Sequence, residues 1–320
     1  MLRTESPTRP RSLDELLDSR LIARLGQLDV ASRKVFSGKL KGERRSKKRG
    51  ESVEFADHRP YVVGDDLRHI DWNIYGRLDR LFMKMFLEEE DLSVHVIVDC
   101  SASMDCGEPN MFLFVQRAAA ALAYIGLVNL HRVTLTAIGG ASSGAADDER
   151  ETVGNGGIVS SLRNLRGRRR VHDLGAWLCG LEPAGATSFP AAAKRIALTR
   201  SGKGVMIVIS DFFMKEGYEE GLRYLLGRGY DLFAIQALSP QEVDPSLGGD
   251  LRLKDVEDAD LAEVTISAPL LKRYKANLAA YIDQMRLFCA RREITLLTVQ
   301  SDTPIDSLML DYLRTRGLLR

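Results

Sequence analysis

The sequence predicts an α/β fold with a mainly parallel sheet, helices on both of its faces, and an N-terminal extension. From residue 92 onward, short apolar runs of the buried-strand type alternate with longer stretches of helical periodicity. Strands are predicted at 93–99, 132–138, 204–210, 230–237 and 294–299. Helices are predicted at 111–129, 158–180, 190–201, 217–227 and 270–292. This alternation is typical of βαβ units, in which parallel strands are covered by helices.

The bulk composition argues against several classes of protein. The chain has 320 residues, and 45 basic against 44 acidic residues leave a net charge of +1, so no whole-chain field attracts nucleic acid or an anionic membrane. The four cysteines, Cys100, Cys106, Cys179 and Cys289, lack C-x-x-C spacing, which argues against a zinc site or a disulfide framework. The longest uncharged apolar run, 118–131, has 14 residues and is too short for a membrane span. With no apolar signal core at the N-terminus, we expect a soluble, cytoplasmic protein.

The sequence changes character before residue 92. Ser12 and Glu15 fit a capping box at the start of an amphipathic helix that reaches Leu25. Residues 39–49 carry seven basic side chains in eleven positions and no apolar period, which predicts a solvated basic arm.

These features predict three parts of the chain. They are an N-terminal helix and basic arm at 1–50, a segment of irregular or short-stranded structure at 51–91 packed on the main domain, and the main α/β domain at 92–320. Within the main domain, the Gly- and Ser-rich segment 139–157 is predicted to be a surface loop with room for a short edge strand. Leucines between 304 and 320 predict a closing helix.

The stretch VHVIVDCSASMD, residues 94–105, contains the first candidate site. Its apolar run ends at Asp99, and Ser101 and Ser103 follow at alternate positions. In an open parallel sheet, ligands bind beyond the carboxyl ends of the strands, where Asp99 is predicted to lie. Mg²⁺ prefers oxygen ligands and keeps several waters, so one carboxylate and two hydroxyls are plausible ligands.

Two more oxygen donors occupy comparable positions. Thr187 lies in GATSF, just before a predicted helix with Pro190 in its first turn, and Asp211 directly follows the strand VMIVIS. A simpler interpretation as a helix or turn cap exists for Ser101, Ser103, Thr187 and Asp211, because Ser, Thr and Asp are common caps. The order and placement of all five oxygen donors favour a metal site.

This pattern, D-x-S-x-S followed by a loop Thr and a strand-terminal Asp, resembles the metal-ion-dependent adhesion site (MIDAS) of von Willebrand factor A domains. By this resemblance the main domain at 92–320 is expected to have a von Willebrand factor A-like, Rossmann-type fold. The resemblance implies that Asp99, Ser101 and Ser103 contact the cation directly or nearly so, that Thr187 adds a hydroxyl, and that Asp211 acts directly or through water. It also implies a partner protein whose Asp or Glu fills the remaining position. Two carboxylates only balance one divalent charge, so such a metal keeps its affinity for an incoming anion.

The segment before the main domain, together with the D-x-S-x-S-M strand end, resembles the bacterial and archaeal "domain of unknown function" family associated with MoxR ATPases. The resemblance runs from about residue 20 to the C-terminus, with Pro60 standing between Arg59 and Tyr61 where the family tolerates most residues. The matching residues upstream of the strand are Gly50, Glu54, Phe55, Arg59, Tyr61, Gly64, Asp65, Asp66, Arg68, Ile70, Asp71, Trp72 and Arg77.

That family resemblance implies a partner AAA+ ATPase of the MoxR type and a chaperone-like or metal-cofactor-insertion role. Many relatives carry two transmembrane helices before this region, and none is seen here, which adds to the expectation of a cytoplasmic location.

The charged cluster between Arg59 and Arg77 has two interpretations. In one, Asp65, Asp66 and Asp71 form a buried ion-pair network with Arg59, Arg68 and Arg77, and Trp72 anchors a core. In the other, the cluster is a partner-docking surface, because Trp and Arg are favoured at interface hot spots. The buried network is the favoured expectation.

Catalysis is the first rival function. Phosphatases of the haloacid-dehalogenase kind also have a strand-end Asp near magnesium, but they need a second Asp two residues later as the general acid and base, where this chain has Ser101. A serine hydrolase would need G-x-S-x-G, and the sequence before Ser101 is Asp99-Cys100. His95 fits a core or interface histidine better than an activating base, and no P-loop is present for ATP hydrolysis.

The sequence therefore predicts a Mg²⁺-dependent protein-binding adaptor, with Mn²⁺ as a possible substitute, that works with a MoxR-type ATPase and its client proteins. A metal-dependent phosphoesterase using Asp99 is the alternative, and so is nucleic-acid binding through the arm at 39–49. That arm has no interleaved aromatic residues for stacking on bases, which favours a solvated arm.

Overall fold

A computed structural model of the chain describes residues 9–32, 55–86, 92–139, 157–199, 203–226, 230–246, 248–254 and 261–320. The basic arm at 39–49 and most of the predicted loop at 139–157 lie outside these residues. The chain divides into two compact units, Met1–Val35 with Leu92–Arg320 and Phe36–Asp91. The predicted boundary at residue 50 falls outside the described residues, so the three-part division stays a prediction.

The helices and strands are numbered here in chain order. The strands are β1 (Phe55–Pro60), β2 (Phe82–Phe86), β3 (Ser93–Asp99), β4 (Arg132–Ile138), β5 (Ile158–Leu165), β6 (Gly204–Ser210), β7 (Tyr230–Leu238), β8 (Gly249–Lys254), β9 (Leu261–Ile266) and β10 (Thr295–Gln300). The helices are α1 (Leu13–Leu16), α2 (Ser19–Leu25), α3 (Trp72–Leu78), α4 (Met111–Val128), α5 (Val171–Cys179), α6 (Phe189–Thr199), α7 (Glu219–Leu226), α8 (Pro240–Val243), α9 (Ala268–Ala290) and α10 (Ile305–Ser307). A π-helical segment, Leu308–Leu313, continues α10.

The central sheet of the larger unit has the strand order β10-β7-β6-β3-β4-β5. Neighbouring strands are parallel except β4 and β5, which are antiparallel. Strands β6 and β7 are buried along their whole length, as expected when helices cover both faces of a sheet. The predicted α/β fold is therefore confirmed.

The two faces of the sheet belong to two hydrophobic cores. Val94, Val96 and Val98 of β3 face the core that includes α1, α2, α4 and α5. Ile97 points to the opposite face because side chains alternate along a strand, and it packs in the core formed with α6, α7 and α9. A sheet covered in this way leaves only the strand ends open for ligands.

The region 158–180, predicted as one helix, consists of β5, a short 3₁₀ turn and α5. The prediction is wrong because β5 is an edge strand with two register shifts against β4. Such shifts interrupt the apolar alternation by which a strand is recognised in a sequence.

The terminal segments also differ from the predictions. The Ser12 side chain makes no capping hydrogen bond, and Glu15 accepts a hydrogen bond from the backbone N–H of Arg11 at 2.8 Å instead. The predicted single helix is split, and Asp18 caps its second half by accepting a hydrogen bond from the Leu21 N–H at 2.7 Å. The closing helix is shorter than 304–320, because Leu319 leaves it and pairs as a β-bridge with Val30.

The smaller unit is described from Phe55 to Phe86. Strands β1 and β2 pair antiparallel, and a bridge joins Ile70 to Met83. Asp71 is the N-cap of α3, where its carboxylate accepts hydrogen bonds from the N–H groups of Asn73 and Ile74. This local capping explains why an Asp precedes α3, with no need for a partner protein or a ligand.

The charged cluster in the smaller unit is not one buried network. Arg59 pairs with Asp65 at 2.6 Å and Arg68 pairs with Asp66 at 2.7 Å, but the Arg68 side chain is 76% exposed. Asp71 pairs with His58 and Lys84 rather than with an arginine of the cluster. The favoured expectation of a buried network is therefore wrong for the cluster as a whole.

Trp72 does not anchor a core. It is 62% exposed, and its ring packs edge-on against Tyr75 with a centroid distance of 6.0 Å. The prediction of a core tryptophan is wrong because Trp72 is the first residue of α3, a helix in which no residue is buried. The interpretation of the cluster as a partner-docking surface stays a prediction.

Gly204 provides a test of the strand packing, because it lies directly beside Ser93 of β3. A Cβ atom at this position would lie 1.9 Å from the Ser93 carbonyl oxygen. We expect Gly204→Ala to lower the free energy of unfolding by at least about 2 kcal/mol, since overpacking forces the strands apart. Urea denaturation measures this change.

The matched control is Gly248→Ala, whose Cβ atom would meet nothing within 4 Å. It should change the free energy of unfolding by less than about 1 kcal/mol. Equal stability of the two variants would contradict the described contact between β3 and β6.

Candidate metal centre

The candidate centre lies where the order of strands in the sheet reverses. After β3 the chain adds β4 and β5 on one side, and then β6, β7 and β10 on the other. The crevice beyond the carboxyl ends of β3 and β6 is therefore the topological switch point, the usual ligand position in open α/β sheets. Asp99 ends β3 and Asp211 directly follows β6.

The Asp99 carboxylate is buried and held by hydrogen bonds to both oxygens. Oδ1 accepts hydrogen bonds from the Ser101 backbone N–H and the Thr187 hydroxyl, each at 2.9 Å. Oδ2 accepts one from the Ser210 hydroxyl at 2.6 Å. These contacts fix the orientation of the carboxylate at the end of the strand.

Thr187 reaches Asp99 because its loop is bound to the turn after β3. The Ala102 N–H donates to the Gly185 carbonyl at 2.9 Å, and the Ala184 N–H donates to the Cys100 carbonyl at 2.9 Å. Gly185 has φ +60°, in the left-handed region where glycine is favoured. The loop thus places a hydroxyl from a distant part of the chain beside the carboxylate.

Ser101 and Ser103 lie on the same turn, with their hydroxyl oxygens 2.9 Å apart. Ser101 is the N-cap residue of a short 3₁₀ helix, Ala102–Met104, but its side chain makes no capping hydrogen bond. The capping interpretation of this hydroxyl is therefore not supported by the contacts it makes. Ser103 also lies close enough to Asp211 to lower the pKa of its carboxyl, so the turn after β3 lies beside the end of β6.

Asp211 lies on a turn with an uncommon backbone conformation. Its Oδ1 accepts a hydrogen bond from the Phe213 N–H at 2.9 Å, as in an ordinary Asx turn, while its Oδ2 is buried and makes no hydrogen bond among the described residues. Phe212 has φ +61°, which is rare for a bulky residue and costs on the order of 1–3 kcal/mol. Strain of this kind is often found at functional sites.

Two buried carboxyls in one crevice oppose each other's ionisation. Burial raises the pKa of Asp99, although hydrogen bonds from Ser210, Ser101 and Thr187 work in the opposite direction. Burial, and then repulsion from Asp99, raises the pKa of Asp211 to about 8. Glu242, whose own pKa is raised by burial, adds further negative potential at Asp211.

The arrangement suits a cation on chemical grounds. The crevice gathers two carboxylates and three hydroxyls from three separate loops, and one carboxylate oxygen has no hydrogen-bond partner in the described structure. Hard divalent cations take such oxygen ligands. Among the described residues there is no cluster of three or more His, Cys, Asp or Glu side chains for a metal, so hydroxyls would have to complete this one.

All five residues predicted from the sequence lie in this crevice, but sequence reasoning missed two of their partners. Ser210 donates to Asp99, and Gln236 donates from β7 to the backbone carbonyl of Asp211 at 3.1 Å. The signal for Ser210 is a hydroxyl at the end of an otherwise apolar strand. Only the pairing of β3 with β6 shows that it faces Asp99.

The fold and the crevice define an α/β protein with a candidate oxygen-ligand site at the switch point of its sheet. The chain belongs to the family described as "Protein of unknown function DUF58", whose family model matches residues 57–284. Uncharacterized proteins of Mycobacterium tuberculosis and Mycobacterium bovis are 26% identical to it over 271 residues, which cover 82% of this chain and 80% of theirs.

Solved structures with some similarity include BatB from Bacteroides thetaiotaomicron, which has 12% identity, a TM-score of 0.37, and coverage of 65% of this chain and 90% of that one. An aerotolerance-related membrane protein from Bacteroides fragilis has 13% identity, a TM-score of 0.38, and coverage of 68% and 96%. The manganese-loaded TRAP protein of Plasmodium vivax has 17% identity, a TM-score of 0.29, and coverage of 46% and 57%. Scores this low carry no inference about ligands or activity.

The prediction of a cytoplasmic location is not kept, because the apolar-run argument behind it is incomplete. One of the similar solved structures is described as a membrane protein. Helix α4 is long and apolar enough to cross a membrane by length and composition, although 78% of it is buried within the protein. Arg117 interrupts the run of uncharged residues within this helix, so a count of that run begins only at Ala118.

The carboxyl pair predicts how the metal-free protein responds to pH. Because the pKa of Asp211 rises from 3.8 to about 8 on folding, the folded state binds more protons than the unfolded state between these values. The stability in EDTA should therefore fall as the pH rises from about 4 to about 8. Asp211→Asn should reduce this decline and unfold at a higher temperature than the wild type at pH 8.

Thermal melts in EDTA across this pH range measure the effect. Asp283→Asn is the control, because the Asp283 side chain is 65% exposed and pairs with an arginine, Arg286, that is equally exposed. If the melting temperature of Asp211→Asn fell with rising pH as steeply as that of the wild type and the control, the two carboxyls would not repel each other.

Proposed function

We propose that this protein is a divalent-cation-dependent protein-binding adaptor, with Mg²⁺ as the cation and Mn²⁺ as a possible substitute. One observation carries the proposal. Five oxygen-bearing side chains from three loops meet at the switch point, and the buried Oδ2 of Asp211 has no hydrogen-bond partner among the described residues. An anionic crevice of this kind is stabilised by a bound divalent cation, which neutralises both carboxylates.

In this proposal each residue of the crevice has a distinct role. Asp99, Ser101 and Ser103 hold the cation from the turn after β3, Thr187 contributes its hydroxyl, and Asp211 contributes its unpartnered oxygen. Ser103 and Thr187 are only partly buried, so the crevice is accessible from solvent on their side. The cation would supply an electrophilic centre there for an Asp or Glu of a partner protein.

The identity of the partner rests on the family resemblance rather than on the crevice. The matching upstream motifs, which are described from Phe55 to Arg77, resemble those of the family associated with MoxR-type AAA+ ATPases. We therefore propose that the adaptor works with such an ATPase in chaperone-like assembly or maturation of client proteins. The chain has no P-loop, so the ATP-driven step would belong to the partner.

A phosphoesterase is the weaker candidate. Ser101 stands two residues after Asp99, where a general acid and base would be needed. Nucleic-acid binding would depend on the arm at 39–49, which lies outside the described residues.

Metal-dependent capture of a partner tests the adaptor proposal. The purified protein is used to capture a co-expressed MoxR-type ATPase and its associated proteins, in Mg²⁺ and in EDTA, with mass-spectrometric identification. We expect capture in Mg²⁺ only. Asp99→Ala and Ser101→Ala should reduce capture at least about tenfold, the effect of losing roughly 1.4 kcal/mol of binding free energy.

Ser188→Ala is the matched control, because Ser188 neighbours Thr187 but its hydroxyl pairs with Glu216 at 3.1 Å. This variant should capture the partner as well as the wild type does. Melting curves with and without Mg²⁺ show whether each variant is folded and whether the metal stabilises it. Unchanged Mg²⁺-dependent capture by folded Asp99→Ala and Ser101→Ala would overturn the proposal.

A phosphoester assay distinguishes the two candidate activities. With Mg²⁺ or Mn²⁺ and a generic phosphomonoester, the wild type should show no turnover above buffer, because the crevice lacks a second Asp two residues after Asp99. Turnover that Asp99→Asn abolishes would support the phosphoesterase instead.

A further inference from the structure

A second site lies at the opposite end of the sheet from the metal crevice. A cavity of about 130 Å³ opens at the beginnings of β3 and β4, beside the antiparallel strand β5 and the last turn of α6. Its polar lining includes His95, Arg132, Thr134, Thr136, Ser161 and Arg163. All of these residues belong to the larger unit.

The polar lining departs from the composition of the face on which it lies. On β3, His95 lies on the same face of the sheet as Ile97. On β4, Thr134 and Thr136 lie on the same face as Ile138, and both isoleucines are in the core under α6. Packing against helices requires apolar side chains on this face. The change to polar residues toward the beginnings of the strands therefore needs another explanation.

The floor of the cavity is a connected hydrogen-bonding network. His95 Nε2 lies 2.8 Å from the Thr136 hydroxyl, and the Ser161 hydroxyl donates to the same oxygen at 3.4 Å. His95 and Thr136 are buried, so their positions are fixed by packing. A network of this kind gives the cavity a fixed shape before any ligand enters.

The rim of the cavity carries the charge. Arg132 and Arg163 are exposed at the mouth, and each guanidinium presents several N–H donors. The described residues that line the cavity include no Asp or Glu, and nearly all their polar side chains have N–H or O–H groups that can donate. A site with two cations, many donors and no carboxylate favours an oxyanion.

The size of the cavity limits the ligand. Its volume of about 130 Å³ is below the roughly 300–1,000 Å³ of pockets for drug-sized ligands. We propose that this cavity binds a small tetrahedral oxyanion of the phosphate class, either free inorganic phosphate or the phosphate end of a small phosphomonoester. This site does not depend on the cation or on the adaptor function.

Calorimetric titration with inorganic phosphate, in EDTA and phosphate-free buffer, tests the proposal. We expect saturable binding at millimolar phosphate or below, with sulfate competing because the lining supplies donors to both ions. Arg132→Gln and Arg163→Gln should each weaken binding about tenfold, and the double variant more, since hydrogen bonds from charged donors are lost. Both side chains are exposed, so these variants should melt like the wild type without phosphate.

Arg169→Gln is the matched control, an exposed arginine that does not line the cavity, and it should bind phosphate as the wild type does. A parallel titration with glycerol phosphate separates the two sources: tighter binding than phosphate indicates a phosphomonoester, and weaker binding indicates the free ion. Asp99→Ala should retain binding, which distinguishes this site from the metal crevice. No saturable binding by the wild type, or equal binding by the double variant, would overturn the proposal.

Discussion

The buried carboxylate of Asp99 is the constraint on which the arrangement of the crevice depends. A charged group at the end of a central strand is costly to bury unless its oxygens are satisfied. Here the satisfying groups come from its own turn, from the adjacent strand β6, and from the loop before α6. One side chain therefore fixes the relative positions of three segments that are distant in the sequence.

Asp211 shows the opposite balance. Its backbone turn is well defined, with hydrogen bonds at Oδ1 and at its carbonyl, but its buried Oδ2 makes none in the described structure. The pKa of Asp211 is raised to about 8 because burial and the neighbouring carboxylate disfavour its charge. A fold that retains such a cost usually does so for function rather than for stability.

The sequence is most informative where burial is complete. The mainly apolar sequences of β3, β4 and β6 identify these strands, and polar residues at the ends of β3 and β6 point to the crevice. Strand β5 could not be identified, because its register shifts break the alternation of an edge strand. Ser210 and the exposure of Trp72 could not be deduced either, since both depend on which surfaces meet in three dimensions.

The pairing of the N-terminal segment with the last residues of the chain affects how this protein folds. Val30 bridges to Leu319, and Asp29 accepts hydrogen bonds from Arg320, nearly three hundred positions away. Contacts of such high sequence separation slow folding, because a large loop must close before they form. Helices α1 and α2 are therefore secured in part by residues that are synthesised much later, and until then their apolar faces depend on the sheet or on a chaperone for cover.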